Sequence, residues 1–121
     1  MQIHVPAEKE RLAVAKAVAA QWQEVGINTK VVVSEPAYFF KKINEGMASV
    51  WIAPWTGFKD PDHLRFVFDS TMGPPAGANR GAYKNLAVDA LLQQGKGLVN
   101  EGKRKEIYAE AQRLLDGDVP Y

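Results

Sequence analysis

The chain has 121 residues, of which 46% are hydrophobic and 24% are charged, which is typical of a soluble globular protein and excludes a disordered or fibrous chain. It contains no cysteine, which excludes thiol catalysis, disulfides and thiolate metal sites. Fifteen basic residues against 14 acidic ones give a net charge of +1, so we predict no nucleic-acid partner. No apolar run reaches about 20 residues, the length of a membrane span, so we predict no membrane span in this chain.

The first half of the chain predicts two helices that alternate with three strands. The strands are expected over Gln2–Val5, Asn28–Ser34 and Ala48–Ala53. Helical spacing of apolar residues predicts the first helix over Glu8–Val25, and the second begins after Ser34, which is expected to cap it. This order of elements predicts right-handed crossovers and a mainly parallel sheet. The fold class is therefore α/β, with three layers in which helices flank a small, mainly parallel sheet.

The spacing of apolar residues also predicts which faces are buried. In the first helix the predicted buried positions are Val14, Val18, Trp22 and Val25. In the second helix they are Phe39, Phe40, Ile43 and Met47. The unbroken run Val31–Val33 does not alternate with polar residues, as expected of a strand covered on both faces.

The second half of the chain predicts helices and one long loop. Asp60 followed by Pro61 is typical of a helix start, with Asp60 as the cap, and this helix is expected to reach about Ser70. Glycines and prolines between Thr71 and Asn85 predict a long surface loop. The last two helices, separated by glycines, are expected over Leu86–Gln94 and Glu101–Leu115.

The segment Trp55–Asp62 follows the third predicted strand and combines aromatic residues with aspartates. Because open parallel sheets bind ligands beyond the carboxyl ends of their strands, we predict a ligand-binding wall here. The predicted ligand contacts are Trp55, Thr56, Gly57 and Phe58, together with Tyr38 and Asp60. Aromatic rings can stack on planar groups, and backbone groups of the turn can pair with an extended ligand. Structural alternatives stay open: core packing for Trp55 and Tyr38, a cover for the next helix for Phe58, and only a cap for Asp60.

Patterns for catalysis and for metal binding are weak. Asp60 and Asp62 could act as an acid/base pair, but neither a nucleophile nor an orienting histidine accompanies them in a recognisable arrangement. We therefore predict no catalytic residue and no enzyme activity. His4 and His63 lack the spacing of zinc ligands, and we predict neither a metal nor a cofactor. The basic run Lys103–Lys105 is predicted to be a solvated face rather than an anion site.

Six segments of the chain form a recognisable set when their order and spacing are taken together. They are Ala20–Ile27, the aromatic helix start after Glu35, Trp55–Asp62, Gly81–Asn85, Val88–Leu92 and Arg104–Leu115. This set resembles the second, C-terminal lobe of the extracytoplasmic solute-binding proteins of the oligopeptide, dipeptide and nickel class that serve ABC importers. The resemblance covers nearly the whole chain.

The resemblance implies a lobe of the type II periplasmic-binding-protein fold, spanning residues 1–121 as a fragment of a longer two-lobed protein. Such a lobe closes with the missing N-terminal lobe on a peptide or other small solute and delivers it to ABC permease subunits. It also implies a periplasmic or extracytoplasmic location, and self-association of the fragment through surface that the missing part normally covers.

The resemblance further implies that Trp55–Asp62 lines this lobe's side of the cleft. Peptide-binding members often carry an aspartate that pairs with the amino terminus of the ligand where Phe58 stands in this chain. We therefore expect a less charged, more apolar contact or a different solute. Because a half-cleft cannot surround a small ligand, we expect weak or undetectable binding by the isolated chain.

Two other functions stay open from the sequence. One is a solute-sensing lobe attached to a regulator, which the rest of the gene would reveal by a DNA-binding segment in place of a secretion signal. The other is a free-standing α/β enzyme or a receiver-like signalling domain, since three parallel strands with helices serve many functions. An enzyme requires a nucleophile and a base, and a receiver requires clustered acidic residues at the strand ends.

Overall fold

Residues 1–120 are described by a computed structural model, and the chain divides into two units, Met1–Thr56 and a second unit that begins at Gly57. The elements of the first unit are β1 (Gln2–Pro6), α1 (Lys9–Glu24), β2 (Lys30–Ser34) and α2 (Pro36–Asn44). Those of the second are α3 (His63–Phe68), α4 (Leu86–Gly97) and α5 (Glu101–Asp118). Among residues 1–120, no helix combines the length and the apolar character needed to cross a membrane. That the whole chain is a single lobe stays a prediction.

A small parallel sheet lies at the centre of the first unit. β1 and β2 pair in parallel, from Gln2 opposite Lys30 to Pro6 opposite Ser34. The connection between them is α1, and α2 follows β2. Helices thus flank a small parallel sheet, and the α/β class predicted from the order of elements is confirmed.

The third predicted strand, Ala48–Ala53, is shortened to a single bridge. His4 pairs in parallel with Trp51 and exchanges two backbone hydrogen bonds of 3.0 Å with the residues on either side of it. In a parallel ladder of this register, the next two hydrogen bonds would require the N–H groups of Pro6 and Pro54. Proline has no N–H, so the ladder cannot continue toward the carboxyl end.

Two separate clusters of apolar side chains stabilise the first unit. Ile3 and Val5 of β1 are fully buried and pack with Ala15 of α1. Phe39 and Ile43 of α2 form the centre of the other cluster, and each is only 1% exposed. The burial predicted for these two positions of α2 is confirmed.

The predicted buried face of α1 is partly wrong. Val14 is 49% exposed and Val25 is 73% exposed. The face that contacts the sheet is centred on Ala15, with Leu12 and Trp22 packed beside it. The prediction followed the large aliphatic residues and gave no weight to alanine. It therefore placed the buried face of α1 on a stripe that is rotated around the helix away from the observed contact face.

Three further positions predicted to be covered are exposed. Phe40 and Met47 are 37% and 61% exposed, so the buried stripe of α2 is narrower than predicted. Val33 of β2 is 46% exposed. Within residues 1–120, β2 pairs only with β1, which makes it an edge strand rather than one covered on both faces.

The second unit is built from three helices around one cluster. The buried members are Val88, Leu92, Tyr108, Ala111 and Leu115. Leu64 and Phe68 of α3 pack against this cluster from their partly exposed positions. The cluster fixes α3 relative to α4 and α5, and so positions the turn that precedes α3.

The segment Thr71–Asn85 is not a simple surface loop, which corrects the prediction. Ala78 and Asn79 are only 1% and 4% exposed. The Asn79 amide donates to the carbonyl oxygens of Asp69 and Tyr83, at 3.2 and 2.8 Å, and accepts from the N–H of Tyr83 at 2.9 Å. The buried side-chain amide of Asn79 thus forms hydrogen bonds with backbone groups of this segment that a helix or strand would otherwise pair with one another.

Candidate functional site

The stretch from residue 55 to residue 60 is exposed along its whole length. Trp55 is 44% exposed and Phe58 is 42% exposed, so core packing of Trp55 is excluded. Trp55 and Thr56 end the first unit, and Gly57 begins the second. Gly57 has a φ of +81°, a backbone conformation that side chains rarely allow, which explains glycine at this turn.

Phe58 forms an aromatic pair with the first residue of α3. Its ring is stacked on that of His63, with centroids 5.0 Å apart and planes at 28°. The ring of Phe66 lies 6.4 Å away at 43°. Phe58 therefore does cover part of α3, as its structural alternative stated, while much of its ring surface stays accessible to a ligand.

An open depression of about 360 Å³ borders this aromatic pair, and we call it the Phe58 depression. It lies entirely within the second unit, and its volume is at the lower end of the range for small-molecule sites. Besides the aromatic residues, the charged residues that line it are Lys59, Asp60, Asp62 and Arg65.

Asp60 has two structural roles at the edge of the depression. Its carboxylate accepts a hydrogen bond of 2.8 Å from the N–H of Asp62 and so stabilises the turn before α3. It also accepts two hydrogen bonds from Arg104, at 3.0 and 2.6 Å. The guanidinium of Arg104, followed by the Asp62 N–H, holds the pKa of this carboxyl below its ordinary value. The predicted helix start is displaced, because α3 begins at His63 and not at Pro61.

Asp62 is also paired within the second unit. It accepts hydrogen bonds from Nε and Nη2 of Arg65, each at 3.2 Å, and a hydrogen bond of 3.0 Å from the hydroxyl of Tyr108. Burial, with a further contribution from Asp62, raises the pKa of Tyr108 to about 12. Each carboxylate of the suggested acid/base pair is therefore engaged by its own arginine.

Arg104 corrects the prediction that Lys103–Lys105 is a solvated face. The two lysines are exposed, but the side chain of Arg104 is only 23% exposed. Besides Asp60, it donates from Nε to the carbonyl oxygen of Gly95 at 3.2 Å, and its guanidinium lies 5.0 Å from the centre of the Tyr108 ring.

Sequence reasoning missed three residues that shape this site, namely His63, Arg104 and Tyr108. The sequence pattern favours an ordinary polar role for His63 over a metal ligand, although its position near a predicted helix start and five residues after Phe58 could have indicated ring contact. Arg104 is 44 residues from Asp60, and no local spacing indicates such a pair.

Tyr38 lies in the first unit, on α2. It is 55% exposed, so the core alternative is wrong for this residue, whereas its neighbour Phe39 packs inward. The ammonium of Lys42 lies 5.1 Å from the centre of the Tyr38 ring.

Across residues 1–120, no group of three histidine, aspartate or glutamate side chains is arranged to hold a metal ion.

No protein-family model matches the chain. Heme-binding protein A of Haemophilus influenzae is 30% identical over 110 residues, which cover 88% of this chain and 20% of that protein. The dipeptide-binding protein of Escherichia coli is 25% identical over 121 residues, covering 99% of this chain and 23% of that protein.

A solved structure extends this similarity to three dimensions. The ABC transporter-associated periplasmic binding protein DppA from Helicobacter pylori, in complex with the peptide STSA, matches 99% of this chain with a TM-score of 0.85 and 25% identity. The chain is homologous to one segment of solute-binding proteins that are named for peptides and for heme. These solute-binding proteins confirm the resemblance inferred from the six segments, and their type II fold confirms the predicted class. The chain spans between a fifth and a quarter of their length, from 20% to 24%.

Proposed function

We propose that this chain is a ligand-binding lobe of the substrate-binding component of an ABC importer. In this proposal, residues 1–121 are a fragment of a longer two-lobed protein that closes on a peptide or similar small solute and delivers it to a membrane permease. The observation that carries the proposal is the alignment of 99% of this chain, at a TM-score of 0.85, with a periplasmic protein solved with a bound peptide. A periplasmic or extracytoplasmic location belongs to the same proposal.

The proposed ligand contacts in the second unit are Gly57, Phe58 and Asp60. The exposure of Phe58 and the positive φ of Gly57 support this assignment, because both leave ring surface and backbone groups accessible to a ligand. Asp60 has the role of holding the turn in place, since its carboxylate is occupied by Arg104. Trp55, Thr56 and Tyr38, all in the first unit, are proposed as further contacts.

We propose binding without catalysis. The relatives that carry the comparison are named as binding proteins, for heme and for dipeptides. The two carboxylates at the Phe58 depression are each engaged by an arginine, Asp60 by Arg104 and Asp62 by Arg65. The proposed partners are the missing N-terminal lobe and permease subunits, and the isolated fragment is expected to self-associate.

Thermal unfolding of the complete protein in the presence of candidate solutes tests this function. The solutes should include peptides, heme, sugars and metal chelates. A true solute present at about 100 times its Kd stabilises the folded state by roughly 2.7 kcal/mol, which gives a clear rise in Tm. Failure of every solute class to raise the Tm would contradict the proposal.

The isolated 121-residue chain provides a second measurement. It should bind the same solute weakly or not at all, because the opposite wall of the cleft is missing. Calorimetry that detects submicromolar affinity for any peptide would contradict the half-cleft interpretation.

A further inference from the structure

The carboxylates that line the Phe58 depression already have cationic partners within the chain. Asp60 is paired with Arg104 through two hydrogen bonds, and Asp62 with Arg65. Lys59, which lines the depression and is exposed, adds a further positive charge. The lining therefore holds two cations and two carboxylates. Arg104 adds a third cation beside the depression through its pair with Asp60.

A protonated amine that approaches Asp60, whose side chain is 59% exposed, would compete with an existing ion pair. To reach Asp60 it would have to displace a guanidinium that makes two parallel hydrogen bonds, the strongest arrangement available to a carboxylate. The weak attraction of an aromatic face for a cation is opposed by the like charge of Lys59.

The aromatic part of the depression favours a different kind of group. Phe58 and His63 are stacked in nearly parallel planes, and Phe66 lies beside them. A flat group can extend such a stack and bury apolar area without needing a counter-charge. The excess positive charge at the rim tolerates a neutral group and attracts an anionic one.

We infer that the Phe58 depression selects a planar aromatic group that is neutral or negatively charged, and discriminates against protonated amines. This inference rests on the solute-binding function proposed above and makes Phe58 the residue that determines specificity. Aspartate at position 58 would add a carboxylate that has no arginine of its own, and so would create an amine site at this depression.

Three related probes test the inference on the isotope-labelled complete protein by amide chemical shifts. They share one ring and differ in charge: N-acetylphenylalanine is anionic, N-acetylphenylalaninamide is neutral and phenylalaninamide is cationic. In the wild-type protein, the anionic and neutral probes should shift the amides of Gly57, Phe58 and His63 at concentrations about tenfold lower than the cationic probe.

Two variants and a matched control complete the test. Phe58→Asp should reverse the order of the probes, and Phe58→Ala should weaken binding of all three without reversing it. Val99→Asp adds the same charge at a residue of the second unit that is 95% exposed and does not line the depression, so it should leave the order unchanged.

The results that overturn the inference differ from those that overturn the proposed function. Equal or tighter binding of phenylalaninamide by the wild-type protein, an unchanged order in Phe58→Asp, or no shift of these amides with any probe overturns the inference. If a solute still raises the Tm of the complete protein, the solute-binding function survives that result. If no solute raises the Tm, the proposed function fails whatever the order of the probes.

Discussion

Arg104 of α5 holds the carboxylate of Asp60 through two hydrogen bonds, at 3.0 and 2.6 Å, although 44 residues separate the two in the sequence. The same guanidinium donates to the carbonyl oxygen of Gly95 in α4 and lies over the ring of Tyr108. One side chain thus connects the turn before α3 to both long helices of the second unit. The position of the proposed binding turn depends on this connection.

Arg104→Lys should lower the thermal stability of the second unit, and Arg104→Ala should lower it further. A lysine ammonium cannot make two parallel hydrogen bonds to Asp60 while also donating to Gly95, and it does not stack as a guanidinium does. Thermal unfolding followed by circular dichroism measures the effect.

The control for Arg104 is Arg113→Ala on the same helix. Arg113 pairs with Glu110 one turn away, and its side chain is 67% exposed. Exposed pairs of this kind contribute little to stability, so this variant should unfold close to the wild-type temperature. Equal losses in Arg104→Lys and Arg113→Ala would show that the Asp60 pair has no special structural role.

Gly95→Ala should destabilise the second unit by roughly 1–3 kcal/mol. The sequence predicted that Gly95 separates two helices, but it lies within α4, where an added Cβ would come 2.9 Å from Cε2 and Cζ of Tyr108. Alanine would otherwise favour the helix by about 1 kcal/mol, so a loss of stability can only come from this contact. Chemical denaturation measures the free energy of unfolding.

Gly97→Ala is the matched control for Gly95. Gly97 is the last residue of the same helix, and an added Cβ there meets no atom within 4 Å. This variant should be neutral or slightly stabilising, by at most about 0.5–1 kcal/mol. If both glycine variants behave alike, the close approach of the Tyr108 ring does not matter for stability.

Signals within a few residues of an element end predicted the fold well. Gly26 ends α1 with a φ of +84°, and its N–H donates to the carbonyl oxygen of Gln23 while that of Ile27 donates to Trp22. This is the hydrogen-bond pattern of a glycine cap, and it depends only on local sequence. The predicted cap Ser34 is wrong, because the residue that precedes α2 is Glu35 and it makes no side-chain cap bond.

Features that depend on distant residues could not be predicted. The ladder to Trp51 stops because the next two hydrogen bonds would both need the N–H group of a proline, Pro6 or Pro54. This is visible only once the register of the strands is known. The pairing of Asp60 with Arg104 likewise depends on how α5 packs within the second unit. The sequence therefore located the exposed turn correctly, whereas the ion pairs of that turn could be identified only from the structure.

The stability of the second unit should fall above about pH 10. Burial, with Asp62 contributing, raises the pKa of Tyr108 from its ordinary 10.0 to about 12. The folded protein therefore keeps this proton to higher pH than the unfolded chain, so the stabilisation is complete below pH 10 and is lost as the pH rises toward 12.

Urea denaturation across this alkaline range, compared between the wild type and Tyr108→Phe, measures the effect. The variant should lose stability less steeply with rising pH. It should not become independent of pH, because burial and Asp118 also raise the pKa of Tyr83 to about 12. Identical slopes in the two proteins would contradict a role for the Tyr108 hydroxyl.

The first unit should lose stability in mild acid through His4. Burial, followed by the charge of Lys42, lowers the pKa of His4 below its ordinary 6.5, and its Nδ1 is buried without a hydrogen-bond partner. The unfolded chain therefore binds a proton before the folded one, so stability is complete above pH 6.5 and falls as the pH drops toward the folded-state pKa. His4→Leu should remove this part of the pH dependence, and an unchanged acid slope in that variant would refute the assignment.

The most direct measurement is a crystal structure of the complete protein with a solute bound. We predict that the solute lies within about 4 Å of Phe58 or of the backbone at Gly57, with the Asp60–Arg104 pair intact. A solute that is bound elsewhere, with no contact to any residue from 55 to 66, would contradict the proposal that this turn is a solute-binding surface.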